Sequence, residues 1–212
     1  MIKVIIFDYD GVIVDSFPAV HKVYQIICDK LDKSCTTDLN EFKKIFGENA
    51  AECYKNLGFS KEEVQKGNLI YKEEIVKTNS PIFEGITETI KELNQEYQLV
   101  LISSSPRVEV MNKIKFYKLE KFFTLFFAGD ALGPMNKLES IKETMKKTKT
   151  NPNEIVSIGD RVNDYRDAQK AGINNVILVE YGWGYDITKI PEYKPRAVVK
   201  KPLDILKAIK KY

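Results

Sequence analysis

Asp8 and Asp10 stand two residues apart at the end of an apolar run, Ile2 to Phe7, and Gly11 follows them at once. The run reads as a strand buried on both faces, as in a parallel sheet. In extended chain the side chains at i and i+2 point the same way, so both carboxylates leave the strand on one face and Tyr9 on the other. Gly11 supplies the positive φ or close backbone approach that a sharp exit from the sheet requires. Two carboxylates desolvated together repel each other, and a bound cation or a shared proton relieves that repulsion. On these residues alone the segment is either such a site or an Asp-rich turn at a strand end.

The elements that position the pair follow from periodicity. After Ser16 the pattern becomes helical: Pro18 suits a first helical turn, and Val20, Val23, Tyr24 and Ile27 recur at helical spacing. Leu39, Phe42, Ile45 and Phe46 form a second stripe, Ala51, Tyr54 and Leu57 a third, and Val64, Leu69, Ile70 and Ile75 a fourth. Residues 17–80 thus read as a small all-helical unit. From Pro81 the character changes. Helices are expected over Ile86 to Tyr97, Arg107 to Tyr117, Leu138 to Lys147 and Val162 to Ala171. Short strands are expected over Gln98 to Ile102, Leu125 to Ala128, Glu154 to Ile158 and Val176 to Val179. Alternation of this kind implies parallel βαβ units. The expected fold is α/β: a doubly wound, mostly parallel, Rossmann-like sheet formed by residues 1–16 and 81–212, interrupted after its first strand by the helical insert.

Length and composition narrow the class. The 212 residues, 43% hydrophobic and 30% charged, suit one sizeable core carrying a smaller unit. Net charge is only +3, the cluster Lys142, Lys146, Lys147 and Lys149 falls on one solvated helix face, and basic and aromatic residues do not interleave. No nucleic-acid partner is expected. No run approaches the roughly 18 apolar residues of a membrane span, and the start of the chain lacks the pattern of a signal peptide. Cys28, Cys35 and Cys53 are odd in number and without CxxC spacing, and His21 is the sole histidine. A disulfide framework, structural zinc and any Ser-His or Cys-His pair are therefore not expected, and the expected location is cytoplasmic.

Ligands in open α/β sheets bind outside the carboxyl ends of the strands. Three expected strand ends carry polar clusters: Asp8 with Asp10, Ser103-Ser104-Ser105, and Gly159-Asp160 with Asp164 four residues on. Lys137 opens a helix nearby in the order. Together these offer acidic groups for a metal, hydroxyls and N–H groups for an anion, and one cation. Each also has a plainer reading: Ser103 as a helix cap, and Asp160 and Asp164 as acids favouring a helix start.

These residues, in this order, resemble the haloacid dehalogenase-like superfamily. Asp8-Tyr9-Asp10-Gly11 matches its DxDG motif after a buried strand, Ser103 its Ser/Thr after the second strand, Lys137 its Lys, and Gly159-Asp160-Arg161-Val162-Asn163-Asp164 its GDxxxD. A helical cap between the first two motifs is also a family feature. The resemblance implies a Mg²⁺-dependent phosphatase of a small phosphorylated metabolite, in which Asp8 attacks phosphorus and Asp10 moves the proton. It places the metal on Asp8, the backbone carbonyl of Asp10 and Asp160. Asp164 is either a further ligand through water or an anchor for Asp160 and Lys137. The phosphoryl group would lie on Gly11, Ser103, the N–H of Ser104 and Lys137. Asp15-Ser16-Phe17-Pro18, Ile45-Phe46-Gly47 and Tyr181-Gly182-Trp183-Gly184-Tyr185 look like the phosphoglycolate-phosphatase type, which puts Gly47, Glu48 and Asn49 on a cap loop that meets the substrate. That type commonly follows the third-motif Lys with Pro, where this chain has Leu138. Two alternatives stay open: a hexose-phosphate mutase, although Val20 stands where that branch has its cap histidine and His21 is one place off, and a phosphoacceptor or regulatory module without turnover. The protein is expected to be a monomer or a homodimer.

Overall fold

A computed structural model describes residues 1–129, 136–188 and 193–210. The chain divides into two compact units, Met1–Asp15 with Pro81–Tyr212, and Ser16–Ser80. The elements run β1 (Val4–Asp8), α1 (Phe17–Lys30), α2 (Leu39–Phe46), α3 (Ala50–Asn56) and α4 (Lys61–Ile75). Next come α5 (Ile86–Leu93), β2 (Gln98–Pro106), α6 (Arg107–Phe116), β3 (Phe123–Gly129) and α7 (Lys137–Thr148). The chain ends with β4 (Ile155–Gly159), α8 (Val162–Lys170), β5 (Val176–Val179), β6 (Ala197–Val199) and α9 (Asp204–Lys210).

Among the described residues of the larger unit, six strands lie in the order β3-β2-β1-β4-β5-β6, and every pairing of these strands is parallel. Successive residues of β1 feed opposite faces. Ile5 and Phe7 join the apolar cluster built with α5, α6 and α9, and Val4 and Ile6 join the one built with α7 and α8. Helices therefore cover both faces, which is why the strands read as continuous apolar runs. The strand order reverses between β1 and β4, the switch point at which such sheets open a crevice. Register brings three strand ends level there: Asp8 pairs with Ile102 of β2, and Phe7 with Ile158 of β4. Asp8, Ser103 and Asp160 are thereby neighbours although up to 152 positions apart in the chain.

Three differences from the sequence reading have local causes. Strand β2 continues to Pro106 rather than ending at Ser103, with a register shift against β3 between Ile102 and Pro106. Strand β6 and helix α9 carry no sequence signal, because three and seven residues are too few to show a period. Helix α5 stops at Leu93, and the chain reaches β2 through a turn.

In the helical unit the four apolar stripes are the four helices α1 to α4. Their starts are fixed by side chains: Asp38 accepts from the Glu41 N–H, Asn49 from the Glu52 N–H, and Ser60 forms a capping box with Glu63. The unit's interior is aromatic. Phe42 is fully buried and meets the rings of Phe17, His21, Tyr24 and Phe46 at centroid distances of 5.6, 4.5, 5.5 and 6.0 Å. One His21 ring nitrogen lies 2.7 Å from the Thr36 carbonyl oxygen, so the sole histidine is spent on packing. Among the described residues no helix is long and apolar enough to cross a membrane. Phe42→Ala should destabilise the helical unit by about 3–5 kcal/mol, read as a lowered urea midpoint in circular dichroism. A shift below about 1 kcal/mol would show that the ring cluster contributes little.

Candidate active site

Asp8 ends β1 and is 6% exposed. Its Oδ1 accepts from the Tyr9 N–H at 2.8 Å, and its Oδ2 lies 2.8 Å from Lys137 Nζ. Lys137 is the first residue of α7, whose start Asn136 fixes by accepting from the Glu139 N–H. The same ammonium lies 2.6 Å from Asp164 Oδ1. Asp164 sits in the first turn of α8, and its Oδ2 accepts from the N–H groups of Asp160 and Arg161 at 3.2 and 3.0 Å. Both Asp164 oxygens thus have partners within the protein. Asp160 Oδ2 accepts from the Gly184 N–H at 2.7 Å. Its Oδ1 is buried with no hydrogen-bond partner. At Gly11 φ is +77°, and a Cβ there would run into the Asp160 carboxylate, so both conformation and space require glycine.

The electrostatics follow from crowding. Asp8, Asp160 and Asp164 are all buried, with one carboxylate oxygen from each lying within 4.8 Å of the others. Burial drives Asp8 well above the ordinary carboxylate range; Lys137 pulls it back, while the charges of Asp164, Asp160 and Asp10 push it further up. Burial raises Asp160 to about 7 against the pull of Arg161. Burial by itself would lower Lys137, but Asp164 and Asp8 outweigh it and hold the ammonium above its ordinary value. Lys137 and Arg161, whose Nε lies 4.0 Å from Asp160 Oδ1, set two cations against three acids, and Asp160 Oδ1 accepts no hydrogen bond. An all-oxygen donor set of this kind fits a hard divalent cation, so Asp8, Asp160 and Asp164 can hold a metal ion.

Asp10 is handled differently. The strand ends at Asp8 and the chain turns, with the Tyr9 carbonyl accepting from the Ile13 and Val14 N–H groups at 3.0 and 3.1 Å. Asp10 Oδ2 accepts from Ser105 Oγ at 2.6 Å and lies 3.4 Å from Ser103 Oγ. Ser103, fully buried, also accepts from the Ser105 N–H at 3.0 Å. It does not cap α6, whose N-cap is Pro106 without a side-chain bond. Ser104 stands exposed at the strand end. The structure therefore brings Asp8, Asp10, Gly11, Ser103, Lys137, Asp160 and Asp164 into one cluster. Gly47, Glu48 and Asn49 belong to the helical unit. Gly47 ends α2 at φ +63°, the Glu48 N–H donates 2.7 Å to Glu52 Oε2, and Asn49 caps α3.

Sequence reasoning gave no role to four contributors. Ser105 was visible as Ser103-x-Ser105, the same spacing of two as the acids, once β2 is allowed to continue. Gly184 reaches the site on the turn after β5, where only its motif drew notice, and Arg161 stacks on Trp183 beside it, 4.0 Å from the ring centroid. Glu109, in the first turn of α6 and 3% exposed, accepts from the Tyr9 hydroxyl at 2.8 Å. Burial and the Asp10 charge push it up to about 8, against the Tyr9 hydrogen bond and Lys113. A lone Glu at a helix start carries no signal for such a contact.

Acids, hydroxyls and a lysine gathered at the switch point of a parallel sheet stand where α/β enzymes take their ligands. The family model of the haloacid dehalogenase-like hydrolases matches residues 5–178, and the chain belongs to that family. It is a hydrolase of that family, similar in type to the phosphoglycolate phosphatases. It is 25% identical to a phosphorylated carbohydrates phosphatase of Thermotoga maritima, over 98% of both chains. It is 23% identical to phosphoglycolate phosphatase 1 of Pseudomonas aeruginosa, over 96% of this chain and 78% of that one. In fold it is similar to a haloacid dehalogenase-like family hydrolase from Streptococcus pneumoniae, with a TM-score of 0.87, 21% identity and 98% of each chain covered.

The raised carboxyls set a pH dependence. Between the ordinary Asp value of 3.8 and about 7 the metal-free folded state holds protons that the unfolded chain has lost. Stability in chelator should therefore fall as pH rises through that window. A divalent cation replaces those protons, so adding it at pH 7.5 should raise the melting temperature more than adding it at pH 5. Equal shifts at both pH values would show that the cation does not bind at these carboxylates.

Proposed function

We propose that the protein is a Mg²⁺-dependent phosphatase that hydrolyses a small phosphorylated metabolite through an aspartyl-phosphate on Asp8. The observation that carries the reading is the unlike treatment of the two carboxylates: Lys137 holds Asp8, whereas Ser105 holds Asp10. A nucleophile must be ionised and a general acid must be protonated, so adjacent acids with opposite tasks need different surroundings.

In this mechanism Asp8 attacks phosphorus while Asp10 protonates the departing alcohol oxygen. Asp10 then takes a proton from the water that attacks the phosphorus of the aspartyl-phosphate, which releases phosphate and regenerates Asp8. Ser103 and the Ser104 N–H donate to the phosphoryl oxygens, and Lys137 favours the charged forms of Asp8 and of the phosphate. Asp164 keeps Lys137 and the backbone of Asp160 in place. Asp8, Asp160 and the Asp10 carbonyl would hold a Mg²⁺, which would supply positive charge that offsets the repulsion between the carboxylates and the phosphate. The substrate-selecting role implied for Gly47, Glu48 and Asn49 is part of the proposal. So is a cytoplasmic setting, supported by the free thiols Cys28, Cys35 and Cys53. The mutase alternative lacks its histidine, since His21 is tied to Thr36 and stacked on Phe42.

The test is phosphate release from a panel of small phosphorylated metabolites, with and without Mg²⁺. Turnover should require Mg²⁺ and fall by about three orders of magnitude or more in Asp8→Asn. A single stoichiometric labelling of Asp8 without turnover would identify a phosphoacceptor instead, and product retaining its phosphate at another hydroxyl would identify a mutase. On the preferred compound, Glu48→Ala should raise KM several-fold and leave kcat within about twofold. The opposite split would remove the 47–49 loop from substrate selection.

A further inference from the structure

Tyr9 lies between the two carboxylates of the site, and the proposed chemistry does not use its side chain. The ring is fully buried, and its hydroxyl donates 2.8 Å to Glu109 Oε1. Glu109 is itself buried, and its Oε2 has no hydrogen-bond partner. The surroundings are apolar: Tyr9 belongs to the cluster that holds Ile5, Phe7, Val110 and Ile114. Both groups lose water there, and one carboxyl oxygen gains nothing in return. A Phe–Leu pair would fill the same space without that cost.

What the pair does hold is the backbone of the site. The Tyr9 N–H donates to Asp8 Oδ1, and the Tyr9 carbonyl closes the turn through the Ile13 and Val14 N–H groups. Rotation of the peptide planes on either side of Tyr9 would therefore move both acids. Glu109 stands in the first turn of α6, directly after the part of β2 whose Ser103 and Ser105 meet Asp10. The Tyr9–Glu109 and Asp10–Ser105 hydrogen bonds are two ties between the same two segments. We infer that Glu109, acting through the Tyr9 hydroxyl, is a positioning residue that fixes where Asp10 delivers its proton. The inference rests on the phosphatase mechanism proposed above. A carboxyl that merely favours the start of α6 would leave the Tyr9 hydroxyl without consequence for the reaction.

The test compares wild type, Tyr9→Phe, Glu109→Gln and the double variant Tyr9→Phe/Glu109→Leu on two esters, p-nitrophenyl phosphate and glycerol phosphate. Nitrophenolate departs without a proton and an alkoxide does not, so a displaced Asp10 slows ester cleavage selectively for the alkyl ester, and kcat/KM reports that first step apart from the later hydrolysis of the aspartyl-phosphate that both esters share. Tyr9→Phe and the double variant should lose at least about tenfold in kcat/KM on glycerol phosphate. Their kcat/KM on p-nitrophenyl phosphate should hardly change. Glu109→Gln, whose amide oxygen still accepts from Tyr9, should keep the wild-type ratio of the two rates. The double variant leaves no buried polar atom from the pair, so it should melt no lower than wild type. A wild-type ratio in the double variant overturns the inference, and so does an equal loss on both esters. A wild type no faster than Asp8→Asn on both esters overturns the phosphatase reading instead.

Discussion

One ammonium group organises this site. Lys137, its side chain 18% exposed, lies between Asp8 and Asp164 with both ion pairs under 3 Å. Its partners are buried, so neither can turn to water if the lysine is lost, and an uncompensated buried carboxylate is among the costlier defects a core can carry. The lysine's own place depends on a helix start. Asn136 caps α7, and that cap decides that Lys137 is the residue at the end of the helix facing the strand termini. Asp164 depends in turn on the first turn of α8. Two helix N-termini and one strand end therefore converge on a single charge.

The two acids of the Asp8-Tyr9-Asp10-Gly11 segment show how a short chain reversal separates chemical roles. Simple alternation sends both carboxylates to one face. The strand in fact ends at Asp8, and the turn closed by the Tyr9 carbonyl carries Asp10 towards the serines of β2. Asp8 stays with the lysine of α7. A separation of two residues, which in a longer strand would give two equivalent groups, here gives one carboxylate against a cation and one against hydroxyls.

Much of this was legible because the central strands are buried on both faces. β1, β2 and β4 appear as apolar runs, and Asp8, Ser103 and Asp160 each follow the last apolar position. Lys137 has no periodic signal of its own, since a helix's first residue belongs to neither face, and only its order among the motifs marked it. Glu109 and Gly184 could not be read, because each acts through a contact between segments distant in sequence: α6 with β1, and the turn after β5 with the turn after β4. Ser105 was in view as the last of three serines but had no partner until β2 is carried on to Pro106, and β6 and α9 were hidden by their brevity.

The position of β1 has a consequence for how the chain is made. It precedes the other described strands in sequence, yet it sits mid-sheet, and its neighbours begin at Gln98 and Ile155. Residues 16–80 intervene and consist of local helices, which form without distant partners. As the chain emerges, Val4 to Phe7 must wait as an unpaired apolar segment while the helical unit folds ahead of it. A cluster that joins Asp8, Lys137 and Asp164 is complete only once segments up to 156 positions apart have met. Until then the apolar segment that ends at Asp8 is open to pairing with another copy of itself.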